Sequence, residues 1–349
     1  MKSFFASLVL ISLLSALTPP VALGQRPAAD PNLLAAESYM RRQNYAKALE
    51  ALDLVFRFNS PPPEAFLMLA ACHFNLGEKD KAVDALKRGI AAYPAAPSLA
   101  EQYVVLLPTA VGKDEVKSRL TGQLRRQPQS AIYRKALARL ALDLEPSGAE
   151  TERILAETIK LLPRDSEAHF LYGQWACLNK RHALCIAELK KALVLAPMNN
   201  QARMQSYTLM AMAEDELGRA APAEEAFRKA LAANRRLAQP SPHAAIRFVE
   251  FLAQRNRDEE AQRLVDEILK HVPNFGPAWF TRAKYLARRQ RFDKAIEAGE
   301  FALKYADGNA AHLLSLHAFM AKTYFAAGRS DDARVHQDWI EKQPKPLRN

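Results

Sequence analysis

Small side chains recur along this chain at a nearly fixed interval, and that spacing constrains the fold more than any other feature. Ala48 and Ala82 stand 34 residues apart, and Val116 stands another 34 on. Thr151 to Cys185 and Ala261 to Ala295 repeat the step, while the remaining steps, through Ala223 and on to Ala333, are 35 or 38. Loops absorb so small an excess, and the 349 residues therefore read as nine small units rather than as two or three ordinary domains. In the stretch 166–199, Tyr172-Gly173 and Ala176 share one helical face. Cys185, Leu189 and Ala192 share the next, and Pro197 closes it. Intervals of 3, 4 and 7 follow one side of a 3.6-residue helix. The stretch 63–96 repeats the pattern with Phe66, Leu69-Ala70 and His73, then Gly77 in the turn, then Ala82, Leu86, Gly89 and Pro94. Pro94, Pro128, Pro163, Pro197 and Pro273 punctuate the ends of second helices, where a missing amide does least harm. Neither helix of a unit buries its stripe alone, so the units must stack.

These residues resemble the tetratricopeptide repeat family, whose pattern sets a large residue, Leu-Gly, Tyr, Ala, Phe and Pro at fixed places in 34 residues. The resemblance runs from about Asn32 to Pro344, and its best matches are Tyr172-Gly173, Ala82, Phe227 with Ala230, and Trp279 with Ala283 and Ala295. It implies an all-α, right-handed α-solenoid over 32–345, of about nine helix-turn-helix units. They lie near 29–62, 63–96, 97–130, 131–165, 166–199, 204–237, 242–275, 276–309 and 314–345. Val104 and Val116 depart from the pattern's small residues, Pro108 falls inside a first helix, and Glu145-Pro146-Ser147-Gly148 lengthens a turn. Ridges interlock less closely across β-branched side chains, so Ala100 to Pro163 is expected to be the loosest part of the array.

The first 24 residues carry Lys2, no acid, an apolar run from Phe4 to Leu17, a Thr18-Pro19-Pro20 break and small residues at Ala22 and Gly24. That pattern predicts a secretory signal peptide over 1–24, too short to span a membrane, cleaved after Gly24. A Pro/Ala-rich leader, 25–31, would follow, with nothing later that reads as a span. The mature protein is expected to be periplasmic or secreted, its net charge lowered from +11 by the one charge of Lys2. Cys72, Cys177 and Cys185 are too few for a disulfide framework. Levelled residue by residue along an antiparallel hairpin, Cys177 and Cys185 sit about 6 Å apart along the axis, so a bridge would need distortion.

The resemblance implies a concave face lined by first helices that holds an extended peptide or a helix of another envelope or secreted protein. By the family's register that groove receives Leu67, Phe74, Phe170, Gln174, Met212, Ile246, Phe280, Lys284, Arg288 and Phe325, with Leu178 beside them. The same register gives acidic patches in the middle, Glu167 and Asp215 among them, and basic ones late. The family's paired Lys and Asn that grip a terminal carboxylate have no counterpart here. Arg282, Lys284, Arg288, Arg289 and Arg291 form the densest basic stretch, beside Trp279, Phe280 and Tyr285. Export argues against nucleic acid as its partner, and a solvated helix face competes with an anionic glycan or acidic segment. If Trp279 and Tyr285 were exposed together, a glycan-binding accessory factor would be the alternative reading.

None of the eight histidines opens a His-Glu-x-x-His zinc motif, no Gly-x-Ser-x-Gly elbow occurs, and Gly112-Lys113 lacks the glycine loop of a phosphate cradle. The expectation is a monomeric, non-enzymatic interaction scaffold without cofactor or metal. The last residues, from Gln337 to Lys342, read as a polar cap on the array. N-terminal mass spectrometry of the protein recovered from its native compartment should find a chain beginning at Gln25; an intact Met1 in the membrane fraction would contradict the export signal.

Overall fold

The computed structural model describes residues 30–58, 60–195, 198–306 and 308–343. The signal segment 1–24, most of the leader, Pro197 and Pro344 lie outside the described residues. Among the described residues there are eighteen α-helices and no strands. The chain divides into two compact units between Trp175 and Ala176.

The first unit holds α1 (Pro31–Arg41) and α2 (Tyr45–Phe58), α3 (Pro63–Asn75) and α4 (Lys79–Ala92), α5 (Pro97–Ala110) and α6 (Lys113–Arg126), and α7 (Ala131–Leu144) and α8 (Ala149–Leu161). The helix α9 (Ser166–Leu178) crosses the division. The second unit continues with α10 (His182–Leu195), α11 (Asn200–Glu216) and α12 (Ala220–Arg235), then α13 (Pro242–Gln254) and α14 (Asp258–His271). It ends with α15 (Gly276–Arg288) and α16 (Phe292–Lys304), and α17 (Ala310–Ala326) and α18 (Ser330–Glu341).

Proline starts α1, α3, α5 and α13, where its fixed φ suits the first turn and its missing amide has no helical partner to lose. Asp30 caps α1 by accepting the Asn32 amide at 2.8 Å, so the leader's last two residues already belong to the first helix. Pro94, Pro128, Pro163 and Pro273 each follow a second helix after a single capping residue. Pro108 sits in the last turn of α5, late enough that the helix runs on to Ala110.

Seven of the nine turns between paired helices are built alike. A residue in the left-handed region ends the first helix: Gln43, Gly77, Lys180, Gly218, Asn256, Gln290 and Gly328. The next amide reaches back five residues, as from Glu78 to the His73 carbonyl at 2.9 Å and from Arg257 to the Leu252 carbonyl at 3.0 Å. This closes the helix end by a Schellman bond and starts the second helix at once. Four residues later the chain reaches the recurring small residue, whose own amide bonds back to the turn, as Ala82 does to Glu78 at 3.1 Å. Ala48, Ala82, Cys185, Ala223 and Ala295 are completely buried there, where two helices cross with room for little more than a Cβ.

The two turns without a left-handed residue belong to the pairs α5/α6 and α7/α8, the same pairs that depart from the sequence pattern. The helices α5 and α6 touch each other over less of their length than α3 and α4 do, as the valines predict. The segment from Ala100 on is nevertheless not an empty joint. Tyr103, Leu106, Leu107, Leu120 and Tyr133 are fully buried within one apolar cluster that begins at Phe66, and the two tyrosine rings meet edge to face at 6.4 Å. Large side chains fill the space that the wider pair leaves.

Cys177 and Cys185 are joined in a disulfide, with a Cα separation of 5.1 Å. Levelling the hairpin on Gly173 misplaced them, because the tight turn at Lys180 sets the first turn of α10 beside the last turn of α9. A bond that closes so short a loop contributes about 2–3 kcal/mol. Cys72 is a buried free thiol, pushed up to about 12 by desolvation and so kept as the thiol.

Glycine shows how closely the helices approach. A Cβ on Gly276 would lie 2.6 Å from the Tyr305 carbonyl oxygen, a backbone atom that no rotamer change moves aside, whereas a Cβ on Gly122 in α6 meets nothing. Gly276→Ala should therefore destabilise the protein by about 1–3 kcal/mol, and Gly122→Ala should stabilise it by about 0.5–1 kcal/mol. Thermal melts of the two variants should move in opposite directions.

Candidate groove of the first helices

Each unit presents its candidate residues differently. In the first unit, Leu67 and Phe74 on α3 are half-buried against the apolar cluster that contains Phe66 and Tyr103. Phe170 and Gln174 on α9 are also half-buried. Glu167, one of the expected acidic patches, is engaged: Lys135 reaches it at 3.0 Å, Arg139 also contacts it, and Lys135 bonds Asp165 at 2.9 Å. Those bonds hold the Lys135 ammonium above its ordinary range despite burial, and the Asp165 carboxyl below its own.

In the second unit, apolar side chains on first helices reach solvent at Leu178 (55%), Met212 (39%) and Phe325 (69%). Ile246 does not join them, being 5% exposed. The helix α13 buries Ala244, Ala245, Ile246, Phe248, Val249, Phe251 and Leu252, while His243, Arg247, Glu250 and Gln254, at intervals of 4, 3 and 4, form its outward stripe, and Ile246 stands off that stripe. Phe280 on α15 lies edge-on to Phe319 of α17 at 5.4 Å, which makes it a seam between neighbouring first helices as much as a surface residue.

A cleft of about 270 Å³ opens between α13, α14 and α15. Glu250 and Gln254 form one wall, Val265 the floor, and Thr281, Lys284 and Tyr285 the other wall. The Lys284 ammonium lies over the Phe280 ring at 4.5 Å, and desolvation, helped by the nearby Arg288 charge, holds it below the ordinary lysine range although Glu250 opposes this.

Three of the other basic residues of that stretch are matched one by one. Arg288 pairs with Asp258 at 2.9 Å, Arg289 with Glu259 at 3.7 Å, and Arg282 with Asp266, all on α14 of the preceding pair. The same bracing recurs where Arg257 grips Glu224 at 2.6 Å and Glu260 at 2.7 Å, where Arg235 holds Glu267 at 2.8 Å, and where Arg255 meets Asp215. The Arg257 hydrogen bond, then that of Arg228, holds the Glu224 carboxyl down at about 2. The basic stretch is thus mostly a brace between successive helix pairs. Position counting missed these bonds, and their only trace in the sequence is an acidic first turn of α14 lying about 30 residues before the basic end of α15.

Trp279 and Tyr285 form no common platform. The Trp279 ring stacks on Phe301 at 4.6 Å, Arg282 lies over it, and its indole N–H donates to the Pro273 carbonyl at 2.7 Å. Tyr285 faces the cleft, with Arg289 over its ring at 5.3 Å.

Two sequence profiles, both described as tetratricopeptide repeat, match the chain: one over 33–97 and 247–311, the other over 205–236. No curated protein sequence matches it. Among solved structures, the APC/C hetero-tetramer Cut9-Hcn1 superposes with a TM-score of 0.54 at 15% identity, over 89% of this chain and 62% of that one. A tetratricopeptide repeat protein from Parabacteroides merdae gives 0.52 at 13% identity, over 75% of this chain and 98% of that one. At such identities the likeness concerns the fold.

If the α14 to α15 pairs brace the array, a double-mutant cycle on Asp258→Ala and Arg288→Ala should give a coupling of about 0.3–1 kcal/mol in urea melts that shrinks in high salt. A coupling of zero would assign the pair no bracing role.

Proposed function

The chain belongs to the tetratricopeptide repeat family, and from that premise we propose that it is an exported scaffold, without catalytic activity, that holds a peptide or helix of another envelope or secreted protein against its first helices. The fold is that of a protein–protein interaction scaffold; export, an envelope role in assembly or secretion, and a monomeric state are the finer parts of the proposal. The observation that carries it is the exposure of Leu178, Met212 and Phe325 on first helices of the second unit. Large apolar side chains left in water on first helices favour a partner that buries them. Because each is fixed to a helix, a partner that covers it loses entropy chiefly on its own side. The family gives a reason for first helices to be the binding elements, and the signal-like segment 1–24 gives the reason for an exported partner. The Trp279 ring is stacked on Phe301 and its N–H is held by the Pro273 carbonyl, which weighs against a glycan-binding accessory factor as the better reading.

A photo-crosslinking residue placed at Met212 and, separately, at Phe325 in cells of the source organism should yield one recurrent protein adduct. The same residue at Val194, which is 85% exposed but on a second helix, should not yield it. Adducts that are absent at both first-helix positions, or equally strong at Val194, would refute the groove reading.

A further inference from the structure

The last helix pair carries an arrangement that the groove does not use. His317 on α17 and His336 on α18 face each other Nδ1 to Nδ1 at 2.9 Å. The His317 ring lies flat on Trp339 of α18 with centroids 3.8 Å apart and planes 8° from parallel. The His336 ring lies over Tyr324 of α17 at 5.5 Å, and the Tyr324 hydroxyl donates to Glu300 of α16 at 2.8 Å. Both histidines and Trp339 therefore stand between α18 and the rest of the unit. The remaining contact includes Ala333, the one fully buried side chain of α18, which joins Met320, Tyr324 and Ile296 in a small apolar cluster.

A hydrogen bond between two Nδ1 atoms needs one donor and one acceptor, so one ring must keep a bare Nδ1. When both imidazoles are protonated, two N–H groups and two positive charges point at each other across 2.9 Å, and the contact becomes repulsive. The charged and titratable groups facing the pair are Glu300 from α16, Tyr324 from α17, Arg329 from the turn and Asp332 from α18. Arg329 is engaged with Asp332 at 2.8 Å and lies over the Tyr324 ring. Glu300 accepts the Tyr324 hydroxyl, so neither acid is bonded to a histidine.

We propose that His317 and His336 form an acid-operated latch, which holds α18 against α17 while at least one ring is uncharged and releases it when both carry a proton. Release would uncover Met320 and Tyr324, an apolar face that neutral pH keeps covered. The latch acts on the end of the second unit and does not depend on what the groove holds. Burial pushes both rings below the ordinary histidine value, His336 further disfavours charge on His317, and Glu300 and Asp332 only partly offset this for His336. The docked state therefore binds fewer protons than the released state. Docking is fully favourable above the released-state value of about 6.5 and weakens as pH falls below it.

Hydrogen–deuterium exchange of the full chain at pH 7.5 and pH 5, with labelling times scaled for the intrinsic rate, tests this on the segment 330–343. Opening of α18 should rise about tenfold or more at the lower pH, while α10 and α16 change by less than about twofold. His336→Gln, which keeps a polar uncharged group, should lose most of the response. His271→Gln, at an exposed histidine on α14, should keep all of it. An equal response in every helix, or an undiminished response in His336→Gln, would overturn the latch. If His336→Gln does not fold, imidazole titration by NMR in the unaltered chain decides. Both rings should titrate together with the loss of α18 protection, and independent titration near the ordinary value with α18 still protected would overturn it.

Discussion

Everything regular in this protein depends on one local closure, in which a left-handed residue ends the first helix of a pair and the following amide bonds back five residues. That closure turns the chain within three residues, and it fixes where the second helix begins relative to the first. The crossing point then falls on the same residue of each second helix, and only a small side chain fits there. Ala82 and Cys185 are small because the turn before them is tight, and the turn satisfies the carbonyls that a helix end would otherwise leave bare. Where the closure is missing, at α5/α6 and α7/α8, the register residue is β-branched, Val116 and Thr151, and Tyr103 and Tyr133 supply bulk between the first helices.

Charge plays a second, more distributed part. The chain carries a clear excess of basic residues, yet much of its basic surface in the second unit is committed to acids one helix pair away. Each exposed pair is worth little alone, but the set ties successive helix pairs: Arg282, Arg288 and Arg289 reach back to acids of the preceding pair, while Arg235 reaches forward to Glu267. The surface that remains for recognition is correspondingly less cationic and more apolar than the composition suggests.

The period of the fold was legible because a Cβ-sized space repeats as a Cβ-sized residue, and because proline marks helix ends for reasons that do not depend on neighbours. The all-α class and the helix pairing followed from that alone. Ile246 falls in the core because α13 turns the stripe of His243, Arg247, Glu250 and Gln254 outward, and a register carried over from the family does not follow that stripe. The Cys177–Cys185 bond was misjudged because its geometry depends on a left-handed Lys180, a residue type that gives no warning of that conformation. The arginine pairs were invisible because they depend on the offset between neighbouring helices, which no single helix encodes. The stretch 98–204, matched by neither family profile, contains both pairs that lack the closing turn, although it also contains the closed pair α9/α10.

The closing turn also says something about how a chain of this kind can change length. Its hydrogen bonds begin and end inside one helix pair, so a duplication or loss of a whole pair at any of the seven closed turns leaves no backbone acceptor stranded. What must be re-matched is only the apolar seam and the arginine on either side. The pairs α5/α6 and α7/α8 have no such freedom, since their interior is held by tyrosines from successive first helices, Tyr103 and Tyr133, that fill one another's space. Growth and trimming of the array are therefore open at its regular pairs and closed in this stretch, which behaves as a fixed spacer between modules that can be added or dropped.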